Sequence, residues 1–223
     1  MRLAVKGREV FPTMAIRVVL ADDHALVRSG VKLLLEMEDF EVVGEAENGL
    51  EAVKRVLELH PDVAVLDRAM PLLNGIDAAR EIRQVSPSTR LILLTMDTDE
   101  RHHLEALRAG FRGCVLKSYE ARELIQAIRD VTNGGTYLHP GLSSVVVEAY
   151  LKGADGRPDP LSPRERQVLQ LLAEGKKTRE VATLLGLGVK TAESHRTRIM
   201  KKLDLKETAG LVRYALREGM TQL

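Results

Sequence analysis

The sequence predicts an α/β fold, a five-stranded doubly wound parallel sheet, followed by a small all-α domain of helix-turn-helix type. Three observations carry that expectation. Short apolar runs alternate with amphipathic segments over residues 16–132. The charge is divided: residues 15–132 hold 15 Lys/Arg against 21 Asp/Glu, a net of −6, and residues 161–223 hold 13 against 7, a net of +6. The formal total of +1 therefore conceals an acidic half joined to a basic one, and a basic half suggests a nucleic-acid partner. Near the C-terminus, two short helical patterns meet at a glycine-containing turn, and the second is rich in cations.

Taken in order, residues 1–14 fit no element and read as an N-terminal arm, with Met14 the favoured natural start. Ile16–Ala21 reads as a buried strand that ends in Asp22, Asp23 and His24. Two adjacent carboxylates repel unless a cation or a base lies between them, which signals a magnesium site; an acidic cap on the following helix is the other reading. Strands then follow at 41–46, 62–66, 91–95 and 113–116, with helices at 50–59, 75–85, 99–109 and 121–132. Parallel neighbours need crossover helices, so this alternation implies a doubly wound sheet.

The run V-A-V-L-D-R-A-M-P, residues 63–71, places Asp67 at the carboxyl edge of a buried strand, where open α/β sheets put their ligands. Asp22 and Asp23, Thr95 and Lys117 stand at the ends of other strands and would converge on the same edge. Three carboxylates suit a divalent cation, and a hydroxyl with an ammonium suits the oxygens of a phosphoryl group on Asp67. A plain salt bridge from Lys117 to Asp67 is the simpler reading of that pair. Arg68 adds a cation at the mouth of the site and reads as an exposed arginine.

Residues 133–160, with glycines and prolines clustered around a possible helix at 142–151, read as a linker, so the halves are expected to be tethered rather than fused. In L-S-P-R-E-R, Ser162 caps a helix, Pro163 suits its first position and Glu165 completes a capping box. Thr178 is expected to cap a second helix, ended by Gly186; a third runs from Val189 to Leu203 and a fourth from Thr208 to Glu218. On the third, Ala192, His195, Ile199 and Leu203 share a core-facing stripe, His195 as a packed structural histidine. Lys190, Ser194, Thr197 and Lys201 line another face, suited to base edges and phosphates.

The motifs A-D-D-H, V-L-D-R-A-M-P, L-L-T-M-D and V-L-K, in that order, resemble the receiver domain of bacterial two-component response regulators over residues 15–132. L-S-P-R-E-R-Q-V-L, G-L-G-V-K-T-A-E-S-H and I-M-K-K-L resemble the LuxR-type DNA-binding domain of NarL/FixJ family regulators over residues 161–221. The resemblance implies a transcriptional regulator controlled by phosphorylation of Asp67 by a sensor histidine kinase. Magnesium would be held by Asp22, Asp23, Asp67 and the Ala69 carbonyl, with Thr95 and Lys117 on the phosphoryl oxygens. It also implies double-stranded DNA as partner, read by Glu193, Ser194 and Thr197 at base edges and held by Lys190, Arg196, Lys201 and Lys202 at phosphates. The active form would be a homodimer, with Leu211, Tyr214 and Ala215 of the fourth helix at the contact. Cys114 stands where an aromatic residue is common in such receivers, and Gly188 where a capping serine is usual.

Composition narrows the classes. One cysteine excludes an intramolecular disulfide, and the absence of a long apolar run or secretion signal leads to the expectation of a cytoplasmic, non-membrane protein. Two rival functions stay open: a regulator whose receiver is only a dimerisation module, and an aspartate-based phosphatase. The latter needs a carboxylate two residues after its nucleophile, where this chain has Ala69. The chain is therefore expected not to be an enzyme.

Overall fold

The computed structural model describes residues 15–96, 99–117, 121–138 and 159–221. Among them the chain runs β1 (Ile16–Ala21), α1 (Ala25–Glu36), β2 (Phe40–Ala46), α2 (Gly49–Leu59), β3 (Val63–Asp67), α3 (Gly75–Val85), β4 (Arg90–Thr95), α4 (Glu100–Ala109), β5 (Gly113–Leu116), α5 (Ala121–Thr132) and β6 (Tyr137–Leu138). Four helices follow: α6 (Pro163–Ala173), α7 (Thr178–Leu184), α8 (Val189–Lys202) and α9 (Thr208–Arg217).

The strands form one parallel sheet in the order β2-β1-β3-β4-β5-β6. The expected five strands are joined by a sixth, the two-residue β6 within the stretch read as linker, which pairs Tyr137 and Leu138 with Gly113 and Cys114. Strand alternation sorts the core. Val19, Ala21, Ala64, Leu66, Leu91 and Leu93 pack on one face with residues of α2, α3 and α4. Val18, Leu20, Val63, Val65, Ile92 and Leu94 pack on the other with Leu35 of α1 and Leu124, Ile125, Ile128 and Val131 of α5. Burial on both faces is why these strands read as continuous apolar runs. The possible helix at 142–151 lies outside the described residues.

Local chemistry sets the helix starts. Asn48 accepts from the Glu51 N–H and Asn74 from the Asp77 N–H, each at 2.9 Å. Ser162 and Glu165 form the expected capping box. The second helix of the C-terminal part is capped one residue earlier than expected: Glu180 reaches back to the Lys177 N–H, which puts Thr178 inside the first turn. A third core gathers Leu161, Val168, Leu169, Leu172, Val181, Ile199, Leu211 and Ala215.

The two parts are docked, not merely tethered. Every residue of α6 from Glu165 to Leu172 is buried: the apolar ones lie in the helical core, Glu165 is held by Ser162 and Lys202, and Arg166, Gln167 and Gln170 bond the α/β part. Arg166 binds Asp77 of α3 at 2.9 Å and Glu105 of α4 at 3.1 Å, and Gln167 bonds Glu81. Gln170 accepts from the Asn74 N–H at 2.9 Å and donates to the Met70 carbonyl at 2.9 Å, while Glu174 accepts from the Leu72 N–H at 3.0 Å. Acidic side chains of α3 and α4 thus face cationic and amide groups of α6, so part of the basic half's charge is matched within the chain.

Candidate functional site

The strand order reverses between β1 and β3, and the carboxyl ends of these two strands carry Asp22 and Asp67. Such a switch point is where doubly wound sheets bind ligands. Asp22 is held by its backbone: buried Arg28 donates to its carbonyl at 2.6 Å and is itself paired with Glu47 at 2.8 Å. Behind Asp67 the loop closes tightly. A Cβ on Gly75 would lie 2.0 Å from the Asp67 carbonyl oxygen, so only glycine fits there.

Asp22, Asp67 and Lys117 form one cluster. Lys117 Nζ is 2.7 Å from Asp22 Oδ2 and 2.9 Å from Asp67 Oδ1, and both carboxylates are almost fully buried. Burial favours the neutral amine, and the two carboxylates more than offset it, so the Lys117 pKa is raised and the ammonium is retained. Burial also raises the Asp67 pKa, against the opposing pull of Lys117. The salt bridge read from sequence is therefore present. The second oxygen, Asp67 Oδ2, is buried and has no hydrogen-bond partner among the described residues.

Asp23 lies at the rim, with His24 Nδ1 2.8 Å from its carboxylate, and ligand atoms of Asp22, Asp23 and His24 all fall within 4.8 Å of one another. Asp67 joins this group through Lys117 and Asp22. The donor set is one of hard carboxylate oxygens with a buried oxygen left over, which fits a magnesium ion. Thr95 is buried at the end of β4, its carbonyl accepting from the Lys117 N–H at 2.8 Å. Ala69 is buried two residues after Asp67. Cys114 is fully buried beside Leu93, and burial pushes its thiol up to about 12, which leaves it a neutral packing residue.

On α8, Ala192 and Ile199 face the core and His195 is half-buried, as is Leu203 at the C-cap just past its end. Lys190, Glu193, Thr197 and Lys201 are exposed, and Ser194 and Arg196 are half-buried. Arg196 donates to Thr208 at 2.9 Å, and Lys202, although exposed, is paired with Glu165 at 2.7 Å. The exposed face stays open although the two parts are docked. Gly188 starts the helix with no side-chain cap. On α9, Leu211 and Ala215 are completely buried in the helical core, so they do not supply a surface contact; Tyr214 is half-buried.

Sequence reasoning missed the groups that join the two parts. Arg68, read as exposed, is 5 % exposed and donates to the Glu218 carbonyl at 2.8 Å. Asp77, Arg166 and Gln170 were assigned no role. The one available signal was the spacing of Arg166, Gln170 and Glu174, which puts three polar groups on one stripe of α6.

Residues 18–129 match the family model "Response regulator receiver domain", and residues 159–215 match "Bacterial regulatory proteins, luxR family". The oxygen regulatory protein NreC of Staphylococcus carnosus is 39 % identical over 214 residues, 92 % of this chain and 99 % of that one. Among solved structures, RcsB of Salmonella enterica serovar Typhimurium, bound to a promoter in the presence of the phosphomimetic BeF3−, has a TM-score of 0.60 and 30 % identity, covering 89 % of this chain and 97 % of that one. A LuxR-family response regulator from Aurantimonas sp. SI85-9A1 has a TM-score of 0.58 and 35 % identity over 61 % of this chain and 99 % of that one. No described helix is long and apolar enough to cross a membrane. With both family models matched in order and relatives aligned end to end, the chain belongs to the NarL/FixJ family of two-component response regulators, transcription regulators that join a receiver to a LuxR-type DNA-binding domain.

Proposed function

We propose that Asp67 is the phosphoacceptor and that its phosphorylation by a sensor histidine kinase controls DNA binding by the chain. Residues 15–132 form the receiver in this reading, 161–223 the DNA-binding domain, 133–160 the linker, whose β6 joins the receiver's sheet, and 1–14 an arm. The observation that carries it is the buried Asp67 carboxylate, bound to an ammonium shared with Asp22 and with its Oδ2 without a hydrogen-bond partner among the described residues. This oxygen has lone pairs free to attack phosphorus. The phosphorus–nitrogen bond of a phosphohistidine breaks, its electron pair returns to the imidazole, and an acyl phosphate is left on Asp67. Asp22, Asp23, Asp67 and the Ala69 carbonyl are the groups to hold magnesium, which when bound neutralises charge on the transferring oxygens. Lys117 and the Thr95 hydroxyl then hold those oxygens. Ala69, in place of an acid/base carboxylate, favours transfer without enzymatic turnover.

In the DNA-binding domain, Glu193, Ser194 and Thr197 are assigned to base edges and Lys190, Arg196, Lys201 and Lys202 to phosphates. Lys202 must leave Glu165 to take part. Because the α8 face is already exposed in the docked chain, control acts through the freedom of the domains to pair as a homodimer on two half-sites rather than through burial of α8. The protein is assigned to the cytoplasm, where its DNA partner lies.

Incubation of the full chain with acetyl phosphate and magnesium, read by intact mass, tests the assignment. One phosphoryl group on the wild type and none on Asp67→Asn is the expected result; equal uptake by the two would place the acceptor elsewhere.

A further inference from the structure

We propose that the arginine-lined cleft at the amino edge of β4 and β5 is a binding site for a small molecule that carries a diphosphate or longer polyphosphate group. Thr95 closes β4 and Lys117 follows β5, so the cleft lies at the opposite ends of these strands from the phosphoacceptor cluster and does not depend on the role of Asp67.

The cavity has a volume of about 470 Å³, within the size range of small-molecule sites. Arg83, Arg90, Arg108 and Arg112 line it, and among the described residues no carboxylate does. Its surroundings have the opposite character, since residues 15–132 carry a net charge of −6. Helix ends account for half of the cluster. Arg83 lies in the last turn of α3 and Arg108 in the last turn of α4, where the macrodipole favours a cation. Strands supply no comparable field. Arg90 opens β4 and Arg112 immediately precedes β5, and the Arg112 N–H donates to the Leu91 carbonyl at 2.8 Å, which puts the two arginines on neighbouring strand starts. Both side chains are exposed, and neither guanidinium has a hydrogen-bond or ion-pair partner among the described residues. Like charges gathered this way repel one another, and an anion between them turns that repulsion into attraction.

Arg83 is fixed by the turn beneath it. Gly110 has a φ of +107°, and a Cβ there would lie 2.1 Å from Arg83 Cδ, so the side chain passes over the end of α4 through room that only glycine leaves. Its Nη1 donates to the Ala109 carbonyl at 3.4 Å, a long bond that engages one nitrogen of the fork. Thr136, exposed on the same wall, adds a neutral hydroxyl donor. Guanidinium forks match phosphate oxygens bidentately. Charge selects the ligand. One phosphate group carries about −1.5 to −2 charges, too little to offset four guanidinium groups, and two linked phosphates come much nearer.

The test titrates the full-length chain with inorganic pyrophosphate and, separately, with inorganic phosphate, at physiological ionic strength. Magnesium is left out, so the carboxylates at the other edge of the sheet repel the anion. Amide chemical shifts locate the site. Saturable shifts are expected at Gly110 and Thr136, with pyrophosphate bound about 10-fold more tightly than phosphate because it engages a further charged hydrogen-bonding group. Arg90→Gln and Arg112→Gln should each weaken pyrophosphate by about 10-fold, and the double variant by about 100-fold. Both side chains are exposed and outside the three cores, so the variants keep the fold, which unchanged α8 amide shifts in the free protein report. Shifts confined to α8 would assign the anion to the DNA-binding face and overturn the proposal. Undiminished affinity in the double variant overturns it as well, and equal affinity for phosphate and pyrophosphate overturns the polyphosphate assignment.

Discussion

Gln170→Leu isolates the energetics of docking. Gln170 is completely buried, and its amide joins the domains through the Met70 carbonyl, the Asn74 N–H and Asn74 Nδ2, each at 2.9 Å. Leucine keeps the bulk and the helix propensity. It leaves the Met70 carbonyl and the Asn74 N–H without Gln170, whereas Asn74 Nδ2 keeps Asp77 at 2.8 Å. A buried backbone group stripped of its partner costs about 1–3 kcal/mol. Two such groups weaken docking by about 3 kcal/mol, while the undocked chain loses nothing because water serves both. That corresponds to a roughly 100-fold rise in the separated-to-docked ratio. The Leu72 amide reports it: its proton is bonded to Glu174 across the interface, a contact the substitution does not remove. Hydrogen exchange at Leu72 should accelerate by about two orders of magnitude, with α8 amides unchanged. Unaltered protection at Leu72 would refute the assignment of docking strength to the Gln170 amide.

Three further outcomes are expected. Burial raises the carboxyl pKa values of Glu81 and Glu174 above the ordinary value, so the docked state binds protons more tightly than the separated one. Docking is then strongest below the ordinary carboxylate range and weakens as pH rises through the raised values, a trend that scattering across mildly acidic pH measures and that Glu81→Gln with Glu174→Gln should flatten. Lys201→Ala should weaken binding to all DNA sequences alike and lower the log–log salt slope by about 0.9, checked by titration at several salt concentrations. Gly75→Ala forces a Cβ against the Asp67 carbonyl; a loss of about 2–3 kcal/mol and a fall in Tm of roughly 5–10 °C are expected, together with reduced phosphoryl uptake.

The sheet was legible because buried parallel strands leave apolar runs that need no partner to be recognised, and Asp22, Asp67, Thr95 and Lys117 each end such a run. Phe40 and Arg90 were missed at strand edges because only pairing, with Ile16 and Val63, makes them strand. β6 was missed for the same reason: two residues have no period, and β5 alone defines them. Arg68, Asp77, Arg166 and Gln170 could not be read, since a buried polar side chain declares itself only through its complement, here 89 to 150 residues away. Local pattern assigns such residues to solvent, and for an isolated domain that assignment would hold.

The stripe of α6 that meets the receiver consists of guanidinium, amide and carboxylate rather than hydrocarbon, with Leu72 the apolar side chain of the receiver loop that packs on the helical core. Parting the domains therefore wets groups that water solvates well. Among the described residues, the surface uncovered by parting the domains offers Leu72 and otherwise mostly hydrogen-bonding groups.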